Sequence, residues 1–141
     1  KDVDSSLNEL KRISKNNSKF VNVSILWDYF RFYGPEKKLN DIIHDAFRAH
    51  CFHQMLPLDL VGKLSNLGYK NIQSENLSYL ITNRDKNSPA IYYEKMLAKF
   101  AISQGISENK VIDWQNQLND SEKAKKFGFT SFPILTSAYL T

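Results

Sequence analysis

The stretch Phe20-Val21-Asn22-Val23-Ser24-Ile25-Leu26-Trp27 decides how this chain reads. Apolar β-branched and aromatic residues alternate with short polar ones, which is the two-residue period of a β-strand. Val21, Val23, Ile25 and Trp27 share one face, and Asn22 and Ser24 lie on the other, so that second face is not simply core. Gly34-Pro35 stops the extended segment, since both residues favour a turn. Upstream, Lys15-Asn16-Asn17-Ser18 is a break rich in turn formers. Before it, Val3, Leu7, Leu10 and Ile13 recur at three- and four-residue steps, the stripe of a short amphipathic helix with Asp4 or Ser5 as its N-cap.

Downstream the period changes. Glu36 to Phe52 reads as a helix whose buried stripe is Leu39, Ile42, Ile43, Ala46 and Phe47. Pro57 stands near the start of another, with Leu60, Val61, Leu64 and Leu67 as its apolar face and Gly68 as its left-handed C-cap residue. Asn71 to Thr82 is expected as a strand. Pro89 opens a long helix through Gln104, and Ser107 caps a further one through Val111, Trp114 and Leu118. Phe127 to Leu140 is expected as the last strand, and Pro133 inside it argues for a bulge or an edge-facing position.

Composition narrows the function classes. The 141 residues amount to one domain's worth of chain, and 42% hydrophobic and 13% aromatic content is enough for a core. No apolar run approaches the ~20 residues that span a bilayer, and Lys1-Asp2-Val3-Asp4 does not begin an apolar signal segment. Cys51 is alone, so no internal disulfide forms, and the expectation is a cytoplasmic protein. A net charge of +4 is mildly basic, with the tightest lysine cluster at Lys123, Lys125 and Lys126 in a helix-like stretch. That is the pattern of a solvated face, so no nucleic-acid partner and no membrane partner are expected.

Strands joined through helices are expected to be parallel, with a right-handed crossover. The five glycines stand apart, so neither G-x-G-x-x-G nor G-x-x-x-x-G-K-[ST] can be written. From Ser6-Leu7-Asn8-Glu9-Leu10-Lys11-Arg12-Ile13 through the strand ending in Trp27-Asp28, then Arg48-Ala49-His50, Leu56-Pro57 and Leu64-x-x-Leu67-Gly68-Tyr69-x-x-Ile72, to Trp114-x-x-x-Leu118 and Phe127-Gly128-Phe129-Thr130, the chain resembles the C-terminal half of a class I S-adenosylmethionine-dependent methyltransferase. The resemblance implies an α/β fold: three strands of a Rossmann-like methyltransferase sheet, the last strand antiparallel and central, with covering helices. It implies one partial domain over residues 1–141, with 89–125 as a helical insertion that covers the substrate. Phe20 to Leu26 would then have one open edge, to be paired by the missing N-terminal half or by a partner chain. The sequence departs from the family at the turn Asn16-Asn17-Ser18, usually Pro-Gly-Gly, and at Ser24 and Leu26, usually acidic. The cofactor implied is S-adenosylmethionine, with no cofactor-binding residues in this chain.

Ligands of open α/β sheets sit beyond the carboxyl ends of the strands. This makes Trp27 and Tyr29 candidate walls of a substrate pocket, Asp28 a candidate positioning group and Arg31 a candidate holder of an anion. Trp27 and Phe30 read equally well as core, and Asp28 and Arg31 as solvated charges. His50 and His53 are the candidates for a general base, because imidazole titrates near neutrality. His44, His50, Cys51 and His53 are the one cluster of metal-ligand types; six residues separate His44 from His50, about 240° of helical rotation, so no metal is expected. The expected activity is methyl transfer to a small-molecule acceptor. The alternatives are a non-catalytic methyltransferase-like module that binds a partner protein through its open sheet edge and, more remotely, a small basic nucleic-acid-binding domain.

Overall fold

Each amphipathic stretch becomes an element in the computed structural model, which describes residues 2–141. The order is α1 (Val3–Ile13), β1 (Lys19–Ile25), β2 (Arg31–Tyr33), α2 (Lys37–Phe47), α3 (Leu56–Asn66), β3 (Tyr69–Asn76), β4 (Tyr79–Ile81), α4 (Pro89–Ser103), α5 (Glu108–Lys123), β5 (Gly128–Ser131) and β6 (Pro133–Leu140). The fold is α/β, with five helices and two three-stranded antiparallel sheets, β1-β6-β3 and β2-β5-β4. The elements form two units. One comprises the N-terminal stretch to Asp28, Phe52–Ser78 and Phe132–Thr141; the other comprises Tyr29–Cys51 and Tyr79–Ser131.

The two sheets correct the expectation of a single one. Asn71 to Thr82 is not one strand: β3 stays in the first sheet and β4 joins the second. Leu77 and Ser78 make the break, with the Leu77 N–H donating to the Pro133 carbonyl at 2.9 Å and the Ser78 N–H to Asn76 Oδ1 at 2.8 Å. Phe127 to Leu140 likewise divides between β5 and β6, and Pro133 heads β6, where a missing N–H is tolerated. The second sheet also owes β2 to Arg31–Tyr33, a stretch expected only as the tail of the first extended segment and not as a strand of another sheet.

In the first unit β6 lies between β1 and β3 and runs antiparallel to both, so β1 and β3 run parallel to each other. Asp2 caps α1, accepting the Ser5 N–H at 3.0 Å and the Ser5 hydroxyl at 2.6 Å; it takes the place expected of Asp4 or Ser5. Gly68 adopts φ +88 just beyond α3, as its C-cap position requires. Asp4 of α1 and Lys63 of α3 form a 2.6 Å ion pair.

The faces of β1 are reversed from the sequence expectation. Phe20 lies opposite Ala138 and packs with Leu7, Leu60, Leu64, Tyr69 and Leu140, so the Phe20, Asn22 and Ser24 face is the one beneath the helices. Val21 and Val23 point the other way and remain 54% and 57% exposed. Alternation defines two faces; the helices decide which of them is core, and both α1 and α3 contribute to the core on the Phe20 side.

Backbone bonds fix the phase of β1. Leu140 donates to Ser18 and Leu26 to Phe132, both at 3.0 Å. In an antiparallel ladder the even-numbered residues therefore turn their backbone groups toward β6, and Lys19, Val21, Val23 and Ile25 turn theirs outward. Among the described residues no strand pairs with that outer edge.

In the second unit Phe32 and Phe129 are opposite each other in the β2-β5 ladder, fully buried, with ring centroids 4.6 Å apart. Trp114 of α5 meets Phe32 edge-on at 5.5 Å. Ile43 and Phe47 of α2, Leu97 of α4 and Val111 and Leu118 of α5 complete this core. Gly34 has φ +129, and a Cβ there would run into the Ser121 side chain.

Candidate functional site

Beyond the carboxyl end of β1, Leu26 is buried and Trp27–Tyr29 makes one 3-10 turn. In the first unit the Trp27 N–H donates to the Gln54 carbonyl at 2.9 Å, which ties the turn to the segment before α3. Trp27 is half-buried, Asp28 is exposed and His53 is half-buried. A half-buried indole beside an exposed carboxylate gives this strand end both an apolar and an anionic surface.

Tyr29 and Arg31 belong to the second unit. The Tyr29 ring is exposed, while its carbonyl accepts the Thr130 hydroxyl at 2.9 Å. Arg31 pairs with Asp41, which Lys37 also reaches at 2.5 Å. The Lys37 ammonium first and the Arg31 guanidinium second hold the Asp41 carboxyl below the usual carboxylate range. Only Nη2 of Arg31 is engaged by Asp41 in this pair, and the carboxylate offsets the charge Arg31 would offer an anion.

Next to Tyr29 in sequence, Phe30 is buried in an aromatic cluster. Its ring meets Phe129 at 4.9 Å and Tyr93 at 5.2 Å, both edge-on, and Tyr93 stacks on Phe129 at 5.3 Å. Tyr92 is exposed, and Tyr93 is half-buried. Burial chiefly, and a hydrogen bond with Tyr79 next, raise the Tyr93 phenol above its ordinary range. The Tyr92-Tyr93 pair supplies both a packed ring and an exposed one.

His50 stacks on Phe47 at 4.0 Å and meets Phe100 edge-on at 6.3 Å. Its Nδ1 lies on the Phe47 carbonyl. A carbonyl can only accept, so Nδ1 carries the proton and Nε2 is the basic nitrogen of the neutral ring. His50 and His53 fall in different units. Among the described residues no group of three or more His, Cys, Asp or Glu is placed to hold a metal, and Cys51 forms no disulfide.

His44 does something the sequence did not reveal. Its Nε2 accepts the Phe32 N–H at 3.1 Å, Asn40 Nδ2 donates to the Phe32 carbonyl at 2.8 Å, and Trp114 Nε1 donates to Asn40 Oδ1 at 2.8 Å. Burial first, then the Arg31 charge, push the His44 imidazole down to about 3, so it stays neutral and accepting. Asn40 and His44 are four apart and flank the Leu39, Ile43 and Phe47 stripe; that spacing was the available signal. Also unforeseen is a buried pair in which Arg84 grips Glu94 with two 2.9 Å bonds, while Glu122, given no role from sequence, accepts the Arg84 N–H at 2.5 Å. Nothing in the spacing of Arg84 and Glu94 announces that contact. No protein-family model matches the chain, and no curated protein matches it either.

Proposed function

We propose that this chain is the substrate-side portion of an S-adenosylmethionine-dependent methyltransferase that methylates a small molecule. One observation carries the reading: β6 runs reversed between the parallel strands β1 and β3, and among the described residues no strand pairs with the outer edge of β1. Two small antiparallel sheets are not a Rossmann-like sheet, and what supports the reading is the reversed last strand between two others in β1-β6-β3 alone. A further strand beside β1, from a preceding half or from a partner chain, would extend the sheet.

The cofactor itself finds no holder here. Gly34, Gly68 and Gly105 take positive φ at turns, Gly62 lies within α3 and Gly128 within β5, so none heads a glycine-rich strand-to-helix turn. When bound by a completing half, adenosylmethionine would supply an electrophilic methyl group. This chain's share would be the acceptor, with Trp27 of the first unit to wall it and Asp28 of the same unit to orient a polar group. Where the acceptor must lose a proton, His50 and His53 are the two candidate bases, and His50 Nε2 is buried.

A second reading, a non-catalytic module that binds a partner protein through the β1 edge, is favoured by the lack of that glycine-rich turn. Calorimetry with adenosylmethionine separates the two. It is run on this chain and on the chain joined to whatever precedes it in its reading frame. Binding by the longer product alone is expected; binding by neither would remove the enzymatic reading.

A further inference from the structure

We infer that an internal water is bound on the helix-covered face of the β1-β6-β3 sheet, held by Asn22, Ser24 and Thr136. Asn22 stands directly opposite Thr136 in the β1-β6 ladder, and Ser24 is two residues further along β1 on the same face. Thr136 is fully buried. Asn22 Oδ1, Ser24 Oγ and Thr136 Oγ1 are each buried, and none makes a hydrogen bond to another protein group. Three such atoms on one face are costly unless something joins them, because each forfeits its hydration on folding.

Their chemistry selects the ligand. Asn22 Oδ1 can only accept, and neither hydroxyl donates to it directly, so the bridging species must be a donor. The hydroxyls both donate and accept, so the same species must also accept. Water does both, and its usual three hydrogen bonds match the three atoms. Asn22 also lines a cleft of about 220 Å³ bounded by Leu7 and Leu10 of α1, Leu56 and Leu60 of α3, and Phe20, which offers a way in. The other end of this face, Phe20, Ala138 and Leu140, is apolar and needs no such bridge. The water therefore sits toward the carboxyl end of β1, three and five residues before Trp27. The inference stands apart from the methyltransferase reading.

A high-resolution crystal structure of the chain tests it. An ordered water within hydrogen-bond reach of Asn22 and at least one of the hydroxyls is expected. An Asn22 amide turned to donate straight onto Thr136 or Ser24, or no water at that position, would overturn it. Denaturant unfolding of Thr136→Val and Ser24→Ala gives a second readout. Each is expected to lower the folding equilibrium constant about two- to tenfold, since a water-satisfied hydroxyl is lost. An unchanged or raised constant, the result for a hydroxyl that was simply unsatisfied, would count against the site.

Discussion

The two sheets of this molecule are finished to different degrees. In β2-β5-β4 the buried face is closed by Phe32, Phe129 and Trp114, and the Phe32 backbone is paired with His44 and Asn40. In β1-β6-β3 one face is packed and the other leaves Val21 and Val23 in solvent. The two borders of that sheet differ as well. β3 carries a bulge between Lys70 and Gln73, with Asn71 at φ +52, and displays Gln73, Ser74 and Glu75. Those are the devices that blunt a terminal strand. β1 has an unbroken register with β6 and turns the backbone of Lys19, Val21, Val23 and Ile25 outward. Leu10 and Ile13 of the α1 stripe are exposed too. β3 is broken by a bulge, whereas the register of β1 is not.

The contrast can be attacked from either side. The largest effect is expected in the closed unit. Trp114→Ala removes a fully buried ring and strands Asn40, and should cost about 4 kcal/mol in denaturant unfolding. A loss under about 1 kcal/mol would mean that this core is not closed.

Acid comes next. His44 has a folded pKa depressed to about 3 against an ordinary value near 6.5. The unfolded chain therefore gains a proton first as pH falls, so the stability His44 contributes is complete above about pH 6.5 and drains away between there and about pH 3. The slope is roughly 1.4 kcal/mol per pH unit, about 3 kcal/mol by pH 4.5. His44→Gln should flatten that part of the curve, and an unchanged slope would remove His44 as its source.

Smaller effects belong to the first unit. Asp2→Ala deletes the α1 cap and should cost about 1 kcal/mol. Val21→Lys with Val23→Lys should change stability by no more than about 0.5 kcal/mol, because both side chains already stand in solvent. A large loss of stability would mean that the valine face is covered.

Much of this was legible in the residues. Val3, Leu7, Leu10 and Ile13 announced α1, Gly68 marked the end of α3, Pro89 the start of α4, and the alternation in Phe20 to Leu26 announced β1. The orientation of β1 was not legible, because valines and asparagine fit either face until helices cover one. Nor were the crossings of the chain between sheets: Asn76 to Tyr79 and Ser131 to Pro133 read as continuous strands, and only Pro133 hinted at a division. Of the candidate residues, the hydrogen-bond and ion-pair partners could not be read. Arg31 looked available until Asp41 was seen to hold it, and His44 looked like a metal-type residue until it was found accepting a backbone N–H.

Residue-resolved amide exchange on the monomeric chain puts the unfinished strand to the most direct test. The Asn22 and Ser24 amides, bonded to β6, should exchange slowly, and those of Lys19, Val21, Val23 and Ile25 quickly. Uniform protection along β1 in the monomer would contradict an open edge, and with it the reading of this chain as one side of a larger sheet.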